Sequence, residues 1–273
     1  MKVISANLNG IRAAAKKGFF DWMLKESPDV VCIQETKAQI DQLDAEVFSP
    51  PGYFRYFFDA EKKGYSGTAI YSKKEPDKIT TGLGWEVADS EGRYIQADFG
   101  DLSIASLYLP SGSSKDERQL LKMEFLEKMT PILKDMADSE RQYIVCGDWN
   151  IVHKRIDIKN FTGNKKRSGC LPEERAWLDQ LFCMPEHKPD ADSETAVENP
   201  IGLCDAFREL NKQEHQYTWW SNRGQAWANN TGWRIDYQVI SPSLAPLLKS
   251  TSIYKEKRFS DHAPLIMTYD REL

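Results

Sequence analysis

Asp148 and Asn150 lie in YIVCGDWN, where an apolar run that reads as a buried strand ends in a glycine, an acid and an amide. An unpaired buried carboxylate is costly, so an acid at the tip of so apolar a segment needs a partner or a task. The pattern recurs along the chain. Asn7 ends the run from Val3, Glu35 ends DVVCIQE, and Tyr108 ends LSIASLY. Asp236 lies inside RIDYQVIS, and Asp261 and His262 stand just before APLIMTY. Taken singly, each is most simply a turn, cap or surface residue; together their types fit one chemistry. Asn7, Glu35 and Asp261 offer hard oxygen donors, and no Cys/His cluster competes, which suits Mg²⁺ with Mn²⁺ as substitute. A histidine beside such a site can neutralise a phosphate oxygen or protonate a leaving group, with a carboxylate fixing its tautomer and charge. A separate Asp and Asn can orient and deprotonate a water. The sum is metal-assisted phosphodiester hydrolysis.

The elements that must position these residues can be read from periodicity. Strands are expected at Val3 to Ala6, DVVCIQE, YFRYFF, GTAIYS, RYIQADF, LSIASLYLP, RQYIVCGDWN, QYTWW, RIDYQVIS, SIYKE and PLIMTYD. RAAAKKGFFDWMLKES has an apolar helical face that Gly18 could split, and Ser114 to Ala137 reads as a long helix. LPEERAWLDQLF is a further helix, with Pro172 at its start and Glu173 and Glu174 in its first turn, where the dipole favours acids. Gly147 reads as a turn that presents the site, and two-residue alternation would send Asp148 and Asn150 to one side and Trp149 to the other. Many strands with interspersed helices fit two packed sheets flanked by helices. No repeat or Gly/Ser-rich linker divides residues 1–273, so one domain is expected, with an acidic loop insert near 186–200.

Composition narrows the function classes. The chain is 41% hydrophobic and 28% charged, as for an ordinary soluble domain with a substantial core. No apolar run approaches the roughly 18 residues of a membrane span, and MKVISANLNG lacks the apolar core of a signal peptide. Five cysteines without a CxxC pair read as reduced thiols in a cytoplasmic protein. The net charge of −5 argues against a nucleic-acid partner, but its distribution weakens the objection. Glu186 to Glu198 concentrates acids, whereas Lys154 to Gly169, directly after GDWN, is dominated by lysine and arginine.

QETK, GYSGTAIYS, LYLPSG, GDWNI, LPEER, GWRIDY and SDHAP occur in the order found in the exonuclease III family of abasic-site endonucleases, which the chain resembles from about Met1 to about Asp270. GDxN and SDH are shared with phosphoinositide phosphatases, sphingomyelinases and secreted DNases; LPEER and GWRIDY narrow the resemblance to the abasic-site branch. It implies an α/β fold, a four-layer α/β/β/α sandwich, and cleavage of double-stranded DNA 5′ to abasic sites, with 3′→5′ exonuclease or 3′-phosphodiesterase activity beside it. By the same resemblance Glu35 is the principal metal ligand, with Asn7 and Asp261 close by and Asn9 at a metal-associated position. Asp148 activates the water, Asn150 helps position it, and Tyr108 contacts the phosphate or assists the leaving oxygen. His262, oriented by Asp236, stabilises the phosphate as charge develops. Trp219, Trp233 and Ile235 match an apolar pocket for an extruded baseless sugar, which is cheapest to extrude where no base stacks. Arg223 stands where relatives wedge a side chain into the duplex, and Ser111 replaces an asparagine of some relatives. Arg12, Lys17, Tyr65 and Arg118 are backbone-contact candidates. A monomer without membrane contact is expected.

Two rival readings use the same fold. IRAAA, GRYIQADF and DLSIASLYLPSGSS also resemble the catabolite repression control proteins, RNA-linked regulators that have lost the catalytic set. Here Glu35, Asp148, Asn150, Asp236, Asp261 and His262 are all present. A phosphatase of the phosphoinositide type would use the same metal and Asp–His pair, but would not need the tryptophan pocket or the basic stretch.

Overall fold

The computed structural model describes residues 1–113, 116–182 and 200–273. Its strands are β1 (Lys2–Asn7), β2 (Val30–Gln34), β3 (Phe54–Phe58), β4 (Thr68–Ser72), β5 (Lys78–Thr81), β6 (Tyr94–Phe99), β7 (Leu102–Tyr108), β8 (Gln142–Asp148), β9 (Cys204–Asp205), β10 (Asp236–Ile240), β11 (Leu248–Ile253) and β12 (Leu265–Tyr269). Between them run α1 (Ile11–Lys16), α2 (Phe19–Glu26), α3 (Glu86–Ser90), α4 (Asp116–Asp138), α5 (Phe161–Asn164), α6 (Pro172–Leu181) and α7 (Ala206–Leu210). The strands form two mixed six-stranded sheets, ordered β11-β12-β1-β2-β4-β3 and β5-β6-β7-β8-β10-β9.

Period-two alternation in the central strands builds the layers. Val3, Cys32, Ile104, Ile144, Cys146 and Met267 face the gap between the sheets and form the innermost core. Their neighbours Ile4, Val31 and Ile33 turn outward onto Phe19, Phe20, Trp22 and Met23 of α2. On the other sheet Ala105, Leu107 and Val145 pack under α4 and α6 through Phe125, Met129, Leu133, Trp177 and Leu178. The result is the expected α/β/β/α sandwich. Polar struts tie the two sheets near one end: Gln34 Nε2 donates to Ser106 Oγ at 2.9 Å, and Ser106 Oγ donates to the Ile33 carbonyl at 2.8 Å.

Register brings the polar strand ends together. β1 and β2 run parallel with Asn7 opposite Gln34, and β7 and β8 run parallel with Tyr108 opposite Asp148. β10 runs antiparallel to β8 and begins with Asp236 opposite Asp148. Parallel neighbours finish at one edge and the antiparallel strand starts there, so residues far apart in sequence share one rim.

Several local expectations are corrected. Gly147 is not a turn but the sixth residue of β8, paired with Leu107 of β7, and it is glycine because a Cβ there would lie 2.1 Å from the Leu107 carbonyl oxygen. Gly18 does divide the first helical segment, into α1 and α2. QYTWW is not a strand; Trp219 makes isolated bridges to Trp233 and His262 instead. SIYKE enters strand only through its first two residues, at the end of β11. Weakly patterned β5, α3, β9 and α7 have no clear sequence signal; they are short and held by their neighbours. The acidic insert lies almost wholly on residues 183–199, outside the described residues. No helix among the described residues is long and apolar enough to cross a membrane.

Candidate active site

The rim opens into a groove of about 1220 Å³ whose walls include Glu35, Tyr108, Asp148, Asn150, Asp261 and His262. Four of the eight non-glycine residues with positive φ among the described residues line it: Asn9 (φ 45°), Glu35 (φ 53°), Lys37 (φ 48°) and Asn150 (φ 52°). Left-handed backbone is costly for L-residues and persists where surrounding contacts impose it, often at functional sites. Here all four residues line the groove, just past the ends of β1, β2 and β8. Asn150 is one of them, so strand alternation does not account for its direction: its N–H donates to Asp148 Oδ1 at 2.9 Å and its Nδ2 to the Leu109 carbonyl at 2.9 Å. So anchored, Asn150 lines the groove. Trp149 points the other way, fully buried against Trp177 and Tyr237.

At the floor, Asn7 Nδ2 donates to both Glu35 Oε1 and Asp148 Oδ2 at 2.8 Å. Its oxygen accepts the Asn9 N–H at 2.9 Å, so Asn7 holds the two acids in register rather than turning an oxygen toward them. Lys37 Nζ lies 2.7 Å from Glu35 Oε2 and donates to Asn9 Oδ1 at 2.5 Å. Asn9 Nδ2 in turn donates to Asp261 Oδ1 at 2.8 Å, and Trp219 Nε1 to Asp261 Oδ2 at 3.1 Å. Burial works against the Asp261 charge, but His262 and these two donors hold its carboxyl below the usual range.

His262 Nδ1 meets Asp236 Oδ2 at 2.9 Å, and Nε2 stands 3.7 Å from Asp148 Oδ2. Burial disfavours an imidazolium, yet Asp236 and Asp148 raise its pKa to about 10. Burial, with Asp236 and Glu35 nearby, also pushes Asp148 up, against the pull of His262. The two groups face each other across 3.7 Å, so the charge on one depends on the charge on the other. Tyr108 is raised well above its ordinary value by burial and by Glu35, which keeps its hydroxyl a neutral donor.

Glu35, Asp148 and His262 can bring one ligand atom each within 4.8 Å of one another. Three carboxylates surround one imidazole here, and Asp236 Oδ1 is buried without a hydrogen-bond partner. Hard oxygens in excess over positive charge suit a small divalent cation.

Beside this floor Trp219 and Trp233 meet edge to face, with centroids 5.9 Å apart, over buried Ile235, Ile158 and Val152. Trp219, Trp233, Ile235 and exposed Arg223 all line the groove, as do Lys166 and Arg167 from the basic stretch. Lys154, at the start of that stretch, instead pairs with Asp179 at 2.5 Å. Tyr65 and Arg118 form their own group, Arg118 donating to the Tyr65 hydroxyl at 2.6 Å and pairing with Glu91 at 3.1 Å. Arg12 and Lys17 are exposed and lie on α1 and just beyond it, outside the groove lining. Lys37 stands in QETK with no sign of its role, Glu174 reads in the sequence only as a first-turn acid, and no helical pattern announces the burial of Lys122 or Glu174.

Residues 4–262 match the family described as Endonuclease/Exonuclease/phosphatase. The DNA repair nuclease APEX1 of Danio rerio is 36% identical over 273 residues, spanning 98% of this chain and 81% of that protein. An exodeoxyribonuclease of Bacillus subtilis is also 36% identical, over 267 residues covering 97% of this chain and 98% of its own. The solved structure of an AP endonuclease from Archaeoglobus fulgidus superposes with a TM-score of 0.84 at 26% identity, covering 99% of this chain and 100% of that one.

Proposed function

Because the chain belongs to the Endonuclease/Exonuclease/phosphatase family, we propose that it is a DNA repair nuclease cutting the backbone on the 5′ side of abasic sites in duplex DNA. The observation that carries this reading is one groove holding both a hydrolytic floor and, beside it, the Trp219–Trp233–Ile235 pocket with basic side chains. A single catalytic domain, a monomer and a cytoplasmic setting belong to the same proposal.

Glu35 would hold the cation, proposed as Mg²⁺ with Mn²⁺ as substitute, with Asp261 close by through Asn9. When bound, it would polarise the phosphate and offset its charge. The chain's own residues do the rest. Asp148 accepts a proton from the attacking water, and the Asn150 amide oxygen orients that water. His262, kept cationic by Asp236, meets the charge developing on the phosphate. The Tyr108 hydroxyl donates to a phosphate oxygen. Trp219, Trp233 and Ile235 receive the sugar that carries no base, while Arg223, Lys166 and Arg167 hold the flanking strand. Tyr65 and Arg118 lie farther along as backbone contacts.

The test is a duplex carrying one abasic analogue, incubated with purified protein and Mg²⁺ beside an RNA-binding assay. Nicking at the analogue, abolished by chelator, is the expected result. An intact duplex after prolonged incubation would overturn the enzyme reading and leave RNA-linked regulation as its successor.

A further inference from the structure

Behind the turn that carries Asp148 and Asn150 lies a charge pair the reaction above leaves unused. Lys122 of α4 and Glu174 of α6 are both fully buried, with Nζ 2.7 Å from Oε1. Desolvating two such ions costs several kcal/mol each, and well-packed apolar residues often serve stability as well or better. Their other hydrogen bonds supply a reason for the pair. Lys122 Nζ donates to the Asn150 carbonyl at 2.8 Å. The second oxygen of Glu174 accepts the Gly169 N–H at 2.6 Å and the Leu171 N–H at 3.0 Å. Gln119 Nε2 completes the carboxylate at 3.0 Å.

The two backbone segments so held are both left-handed, Asn150 at φ 52° and Gly169 at φ 87°. They also touch: a Cβ on Gly169 would lie 2.9 Å from the Asn150 oxygen and 3.1 Å from the Trp233 ring. One segment presents the Asn150 amide beside Asp148. The other closes the floor behind Trp233 and follows Lys166 and Arg167 in the groove. The ion pair therefore clamps the water-activating turn to the wall of the sugar pocket.

We propose that Lys122, paired with Glu174, is a positioning residue that locks the Asp148–Asn150 turn and the Gly169 wall in one arrangement, so that the attacking water and the held sugar stay in line. The proposal rests on the nuclease reading above. It predicts an effect on turnover beyond the effect on stability, since misplacement of about 1 Å near the chemistry can cost about 100-fold.

Wild type, Lys122→Met, Lys122→Arg, Glu174→Gln and the double variant Lys122→Met/Glu174→Gln are compared on the abasic-analogue duplex. Thermal unfolding and hydrogen exchange over residues 148–152 and 166–171 are measured alongside. Lys122→Met should lower kcat about 10- to 100-fold with KM changed little, and Lys122→Arg should recover part of it. In the double variant the buried unpaired carboxylate is gone, so Tm should return toward wild type. Its kcat should stay low and its two segments should exchange faster, because the Asn150 carbonyl still lacks its donor. Recovery of kcat together with Tm would make the pair merely structural and overturn the proposal, as would wild-type kcat in a folded Lys122→Met. Should that single variant fail to fold, the double variant and Glu174→Gln carry the same comparison. Should wild type leave the duplex intact, the nuclease reading fails separately, and unchanged exchange in the double variant would still sink the clamp.

Discussion

Two buried charge clusters lie side by side in this fold, and they are built on opposite principles. Around Asp157, Arg234 donates through Nε at 2.7 Å and Arg208 through Nη2 at 2.6 Å. Arg234 Nη2 also reaches Asp205 at 2.7 Å. Two acids face two arginines, and although burial opposes the Asp157 charge, the arginines hold its carboxyl far below the usual range. Two residues along from Arg234, Asp236 opens the other cluster. There Asp148, Asp236 and Glu35 face one imidazole, with Lys37 pairing only Glu35 at the edge, and Asp148 is pushed up rather than down. A balanced cluster fixes backbone; an acid-rich one suits a divalent cation. The GWRIDY segment belongs to both, so the structural cluster anchors the strand that delivers Asp236 to the reactive one.

The sharpest way to break this contrast is to neutralise one acid in each cluster. Asp148→Asn should reduce nicking by about 100- to 10,000-fold, the span expected for losing a positioned base. The same change should leave unfolding stability unchanged or raised, because it removes a carboxylate that burial disfavours. Denaturant curves showing a large stability loss for Asp148→Asn would contradict the division. In the balanced cluster, Arg234→Met leaves Asp157 short of its main partner and should cost about 3–5 kcal/mol of stability, read from the same denaturant titration.

Acid provides a gentler probe. The folded-state pKa of Asp157 lies below its unfolded value, so its contribution is fully present above about pH 4 and is lost as pH falls through the folded value. Asp157→Asn should therefore lower stability near neutrality and flatten its decline below about pH 4; an unaltered acid slope would remove Asp157 from the balanced cluster. The smallest expected effect is at the pocket. Trp233→Ala should reduce discrimination between abasic and normal duplex about tenfold while general DNA binding changes less. Equal losses on both substrates would make Trp233 a packing residue only.

Much of the reactive cluster was legible because its chemistry contradicts its surroundings. An acid after YIVC, a glutamate after VVCIQ and a histidine before APLIM are misplaced in a core unless they act together. The basic run after GDWN was legible only as composition: Lys166 and Arg167 reach the groove, whereas Lys154 is spent on Asp179. Lys122 was hidden because a lysine on an amphipathic helix ordinarily faces water, and only the α4–α6 packing buries it.

By itself the sequence determined the long apolar strands, which polar residues end them and which chemistry those residues share, since periodicity and side-chain type are local properties; the short β5 and β9 and the bridges of Trp219 were not legible in it. Tertiary structure alone decided that β10 starts where β7 and β8 end, that Asn150 turns through left-handed backbone, and that Asn7 bridges Glu35 to Asp148. It also decided which of two neighbouring acid clusters is saturated with arginine. These are matters of register, burial and distance between residues remote in the chain, and burial and proximity set whether a carboxylate is a structural tie or a reactive group.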